Sequence, residues 1–135
     1  MPSVSAEATL PLTTSEHVVT VRQAVRQRAV EIGFSLVEQT KVVTAASELA
    51  RNTIQHGGGG CVAVEVVSDG VRRGLRLTFA DQGPGIADIG LAMKDGFSTA
   101  GGLGLGLSGA KRLSNEFAIS SAPGNGTRVV ITRWK

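Results

Sequence analysis

Apolar residues along the chain follow two different periods. From Ser15 onward, Val18, Val21, Val25, Ala29 and Ile32 recur every three or four positions, which puts them on one face of a helix. Gly33 stands where that helix should stop. A second helix opens at Ser35-Leu36-Val37-Glu38, a capping box in which the hydroxyl and the carboxylate each satisfy an orphan backbone N–H. Its apolar positions Val42, Ala45, Ala46, Leu49, Ala50 and Ile54 carry it to about His56, where the glycines at 57–60 end it. Then the period becomes two. Val62, Val64 and Val66 share one face of a strand over 61–67, and Leu75, Leu77 and Phe79 share one face of a strand over 74–80. Asp69-Gly70 between them marks a hairpin, lengthened by Val71-Arg72-Arg73.

Shorter signals fill in the rest. Residues 8–12 read as a strand, and Pro11 assigns it to a sheet edge because proline cannot donate to a ladder. A short helix is expected over 88–94. A glycine-rich loop over 101–106 leads into a helical pattern ending near Ser114, and two last strands, 117–122 and 127–134, flank the turn Pro123-Gly124-Asn125-Gly126. No repeat or linker interrupts this order. Residues 1–135 are therefore expected to form a single α/β domain, a two-layer sandwich of one mixed sheet with helices on one face.

Composition narrows the function. With 135 residues, 41% hydrophobic and 19% charged, the chain can bury one core. Glycine, at 18 residues, is nearly twice its usual share of about 7% and is clustered, which points to particular loops. A net charge of +3 is dispersed, and four Phe, one Trp and no Tyr leave little for bases to stack on, so nucleic acid is not an expected partner. The single Cys61 excludes an intrachain disulfide and a multi-cysteine metal site, and reads as a small buried hydrophobe. His17 and His56 lack ligand spacing, so a metal held by His or Cys is not expected. No apolar run reaches the roughly 18 residues of a membrane span, and no basic-then-apolar leader opens the chain; a cytoplasmic location is expected.

Three segments carry candidate chemistry. Glu48 and Asn52, four apart in the second helix, project from one face; a carboxylate can take a proton and an amide oxygen can ligate Mg²⁺. Such pairs also occur on ordinary exposed helix faces. Asp81-Gln82-Gly83-Pro84-Gly85 follows a strand, where a carboxylate can accept from an exocyclic amine and glycines can admit a flat ring, although the same residues make an ordinary tight turn. Gly101-Gly102-Leu103-Gly104-Leu105-Gly106-Leu107 precedes a helix, whose free N–H groups and dipole suit phosphate; alone, it also fits a flexible segment with no ligand. No Gly-Lys-Ser/Thr follows, so it is not a Walker A loop.

In this order, and with Gly126-Thr127 after them, the elements resemble the Bergerat-type ATP-binding fold shared by DNA gyrase, the large heat-shock chaperones and histidine kinases. The stretches Ser47-Glu48-Leu49-Ala50-Arg51-Asn52, Asp81-Gln82-Gly83-Pro84-Gly85-Ile86 and Asp95-Gly96-Phe97-Ser98-Thr99-Ala100-Gly101-Gly102-Leu103-Gly104 are similar, more closely, to the RsbT-like switch serine/threonine kinases of bacterial stress-signalling complexes. The likeness runs over nearly the whole chain. It implies ATP and Mg²⁺ as cofactors, with Asn52 on the metal, Glu48 as general base, and Asp81 on the adenine amine aided by water and Thr127. Gly83 and Gly85 would admit the ring, N–H groups around Gly102, Gly104 and Gly106 would hold phosphates, and Phe97-Ser98-Thr99 would belong to a mobile lid. The implied substrate is a serine or threonine of a STAS-domain scaffold protein. The released kinase would then activate a PPM-type serine phosphatase. Residues 53–60 depart from the pattern in being richer in glycine. An anti-sigma-factor kinase, or a nucleotide-gated binding module without phosphotransfer, are the alternative readings.

Overall fold

The structure, a computed structural model, describes residues 2–93 and 103–135. Its elements are β1 (Ser3–Leu12), α1 (Ser15–Glu31), α2 (Leu36–Gln55), β2 (Gly60–Ser68), β3 (Arg73–Asp81), α3 (Ile89–Ala92), α4 (Leu103–Arg112), β4 (Glu116–Ser121) and β5 (Thr127–Trp134). Local chemistry sets most of these limits. Ser35 and Glu38 form the reciprocal cap expected at the start of α2, with N–O distances of 3.1 and 2.8 Å. Gly33 takes φ +86°, the left-handed conformation that ends α1 at little cost for glycine. Asp88 Oδ1 accepts from the Leu91 N–H at 2.9 Å and so starts α3.

The strands form one sheet in the order β1-β2-β3-β5-β4. Every pairing is antiparallel, so the sheet is not mixed as the element order suggested. The reason is topological: α1 and α2 carry the chain out and back between β1 and β2, and the β4–β5 hairpin inserts its second strand beside β3. β1 lies at an edge, as Pro11 requires, but reaches back to Ser3 and pairs with β2 along its whole length, with an irregularity between Val4 and Ala6. Its first half is mostly exposed and carries no apolar period to read.

One face of the sheet packs against the helices. Val62, Val64, Val66, Leu75, Leu77, Phe79, Val129 and Ile131 meet Val21, Val25, Ala29, Val42, Ala46 and Leu49 in a single core. The two-layer sandwich is thus as the periodicity predicts. Among the described residues no helix is long and apolar enough to cross a membrane.

The β2–β3 connection gives a pH-dependent marker of the fold. Asp69 accepts from the Arg72 N–H (2.7 Å) and the Val71 N–H (2.9 Å), and its second oxygen meets the Arg72 guanidinium. These hydrogen bonds, with the Arg72 charge, hold its carboxyl at about 2 against an ordinary 3.8. A folded value below the unfolded one favours the turn above the ordinary value, and that support is lost as pH falls through the folded value. The turn is therefore expected to loosen between about pH 4 and pH 2, read as faster amide exchange at Val71 and Arg72. Asp69→Asn should remove that pH dependence; a carboxyl titrating at its ordinary value would contradict the assignment.

Candidate functional site

The site arises where four strands end in register. Gly60 of β2 pairs with Asp81 of β3, Asp81 with Thr127 of β5, and Thr127 with Ser121 of β4. This row lies one step beyond the core row Val62, Phe79, Val129 and Ile119, on the face turned to the helices. The C-terminal turn of α2 and the helix α4 close over it, leaving a cavity of about 250 Å³. Asn52, His56, Asp81, Gly85, Ile86 and Thr127 supply its polar and loop-borne lining; Leu49, Phe79 and Leu107 are among its apolar walls. An apolar slot with a few convergent polar groups is the usual form of a small-ligand site.

Among the described residues, two polar atoms in this lining have no protein partner. Asn52 Nδ2 and His56 Nε2 are buried without a hydrogen bond. Buried polar groups are nearly always paired, so two orphans in one cavity mark a place for a ligand or ordered water. His56 was not singled out from the sequence as a binding residue. The available signal was its position: Glu48, Asn52 and His56 are spaced by four along one stretch of helix and its cap.

Glu48 sits one turn before Asn52 but is not part of the cavity wall. Its side chain is 39% exposed and accepts from Arg51 Nη1 at 3.0 Å. Asn52 packs against α4: a Cβ on Gly106 would lie 2.5 Å from its Nδ2, so glycine there lets the helix close on the amide. The stretch expected as a glycine loop is already helical at Leu103, which puts Gly104 in the first turn of α4 and Gly106 within the helix. Gly102 and Phe97-Ser98-Thr99 lie outside the described residues.

The loop after β3 is fixed by its neighbours. Asp81 Oδ1 accepts from the Gly83 N–H at 2.9 Å, the Gly124 N–H donates to the Pro84 carbonyl at 2.8 Å, and the Ile86 N–H donates to Ser121 Oγ at 2.8 Å. Glycine is required at 83 because a Cβ there would stand 2.7 Å from Gly57 Cα. At Gly85, φ is +76° and a Cβ would strike the Ala122 carbonyl. In both cases the demand comes from adjoining backbone.

The glycine run after α2 acquires a function here. A Cβ on Gly57 would strike the Asp81 carboxyl group, and one on Gly60 would strike the Ala80 carbonyl, whereas Gly58 faces open space at φ +72°. Gly57 thus lets the acid sit flat against the end of α2. Gly57→Ala is expected to displace Asp81 at a cost of about 1–3 kcal/mol, or ~5- to 150-fold in affinity for a ligand held by that carboxylate. Gly58→Ala should leave that affinity unchanged and lower only stability, by about 1 kcal/mol for its left-handed backbone. Equal effects of the two substitutions on binding, measured by calorimetry, would contradict the placement.

Among the described residues no group of three or more His, Cys, Asp or Glu side chains is placed to hold a metal. At the α2 side of the cavity Asn52 offers a side-chain oxygen. That fits Mg²⁺, which keeps several waters and takes phosphate oxygens rather than a full protein cage.

Known proteins can be set beside this geometry. The sequence matches the histidine kinase-, DNA gyrase B-, and HSP90-like ATPases over residues 37–135. It is 48% identical over 117 residues to serine/threonine-protein kinase RsbT of Bacillus subtilis, which covers 87% of this chain and 88% of that one. It is 28% identical over 129 residues to the anti-sigma F factor of a Thermoanaerobacter species, covering 91% and 89%. In fold it is similar to the RsbU and RsbW domains of a Mycobacterium tuberculosis protein, with a TM-score of 0.66 and 22% identity over 97% of this chain and 33% of that one. A structure of the SiaB–SiaC complex from Pseudomonas aeruginosa gives a TM-score of 0.58 at 14% identity, over 98% and 91%.

Proposed function

The chain belongs to the histidine kinase-, DNA gyrase B- and HSP90-like ATPases and, within them, to the RsbT-like serine/threonine-protein kinases, and on that premise we propose that it moves the γ-phosphoryl group of ATP to a hydroxyl of a STAS-domain protein. The observation that carries this reading is the pair of orphaned atoms, Asn52 Nδ2 and His56 Nε2, in a cavity that the Asp81 carboxylate also lines. A purine with phosphates meets both the orphans and the acid.

Bound ATP supplies the transferable phosphoryl group, and Mg²⁺ neutralises charge on the phosphate oxygens. The chain's own residues do the rest. Asp81 accepts from the adenine amine with Thr127 beside it, while Phe79, Leu107 and Val129 exclude water from the ring. The amide of Asn52 takes the metal side of the phosphates. The free N–H groups of the first turn of α4, including that of Gly104, meet phosphate oxygens, as helix N-termini do. Glu48, partly exposed and paired with Arg51, would face the partner and take the proton of the attacking hydroxyl. Phosphorylation adds about −1.5 to −2 charge to the docked surface, which would expel the kinase and leave it to engage a PPM-type serine phosphatase.

The test is transfer of label from ATP·Mg²⁺ to serine or threonine of a purified STAS-domain protein. Transfer is expected with the intact chain. ATP binding without transfer to any such protein would favour a nucleotide-gated binding module. The likeness to an anti-sigma F factor supports one further reading, in which the chain sequesters a sigma factor and phosphorylates its antagonist; stable capture of a sigma factor would favour it over the switch kinase.

A further inference from the structure

Thr127 is a cavity group whose hydrogen-bonding role is set by a residue behind it. Ser121, its cross-strand neighbour, does not line the cavity. Ser121 Oγ lies 2.8 Å from the Ile86 nitrogen, 2.9 Å from the Gly126 carbonyl oxygen and 2.8 Å from Thr127 Oγ1. The Ile86 N–H can only donate, and the Gly126 carbonyl can only accept. A serine has one proton to give. For all three contacts to hold, that proton goes to Gly126, and the Thr127 hydroxyl must send its own proton to Ser121. The reverse assignment leaves the Gly126 carbonyl without this donor.

With its proton turned away, Thr127 presents only lone pairs to the cavity. Asp81, its neighbour across the other strand, is likewise an acceptor there. Two acceptors side by side match a ligand edge that donates, such as the 6-amino group of a purine, and oppose a 6-oxo group. We propose that Ser121 is a positioning residue for base selection: without touching the nucleotide, it fixes the proton of Thr127 and so makes the cavity reject 6-oxopurines. This rests on the reading of the cavity as the ATP site.

Calorimetric titration of the intact chain with ATP·Mg²⁺ and with inosine triphosphate·Mg²⁺ tests it. The two ligands differ at position 6 and in the proton on the neighbouring ring nitrogen, so their affinity ratio reports the base edge. Ser121→Ala frees the Thr127 proton to turn toward a 6-oxo group, and the ratio is expected to shrink about tenfold. Ser121→Thr keeps a hydroxyl and should restore the ratio. In a Thr127→Val background, Ser121→Ala should leave the ratio unchanged, because there is no proton left to direct. Equal weakening of both ligands by Ser121→Ala would reduce Ser121 to a loop anchor and overturn the proposal, as would an unchanged ratio. Wild-type chain that binds neither nucleotide would overturn the ATP-site reading itself, and this proposal with it.

Discussion

Glu48→Gln is expected to slow phosphate transfer by about 10²–10⁴-fold, the usual contribution of a positioned general base. ATP affinity should hold within about threefold, since an interaction made only in the transition state leaves ground-state binding alone. The geometry explains the separation. Glu48 is partly exposed, does not line the cavity, and accepts from Arg51 at 3.0 Å. Glutamine keeps the shape but cannot take the hydroxyl proton. The lost ion pair is half-exposed, and such pairs contribute about 0–1 kcal/mol, so folding should be unaffected. Single-turnover transfer at saturating ATP, with binding measured separately, gives both quantities. Transfer within tenfold of wild type would remove Glu48 from the chemistry.

Asp81→Asn should act on the other half of the cycle. Asp81 has two oxygens, and one is committed to the Gly83 N–H at 2.9 Å. The other is left for the base. Asparagine has a single acceptor oxygen, which Gly83 would claim, so its NH₂ would face the adenine amine, donor against donor. Hydrogen bonds to charged groups contribute about 1.5–3 kcal/mol, which predicts ATP binding weaker by roughly 10- to 150-fold. Transfer at low ATP should fall in proportion and recover as ATP is raised, whereas no ATP concentration should rescue Glu48→Gln. Unchanged ATP affinity in Asp81→Asn would place the adenine elsewhere in the cavity.

Much of the fold could be read in advance because the forces concerned are local. The stripe Val18, Val21, Val25, Ala29 buries itself in any helix of that sequence, and the Ser35–Glu38 cap closes within four residues. What escaped were features with a distant partner. The first half of β1 has no apolar face of its own and is a strand because β2 pairs with it. Leu103 to Gly106 looked like loop because glycine disfavours helix, a local preference that packing on α2 overrides at Gly106. Gly83 and Gly85 were legible as glycines with a purpose, but not that Gly57 and Ala122 impose it.

The sequence by itself determined the two layers, the apolar face of each element, and the residue types a nucleotide site needs, since period, caps and spacing are properties of the chain as written. Only the tertiary structure decided that the sheet is antiparallel throughout, that Glu48 stays outside the cavity lining, that His56 lines the cavity, and that Ser121 stands behind Thr127. Those facts depend on which strand ends fall side by side. A hydroxyl becomes a donor or an acceptor only once its neighbours across the sheet are in place.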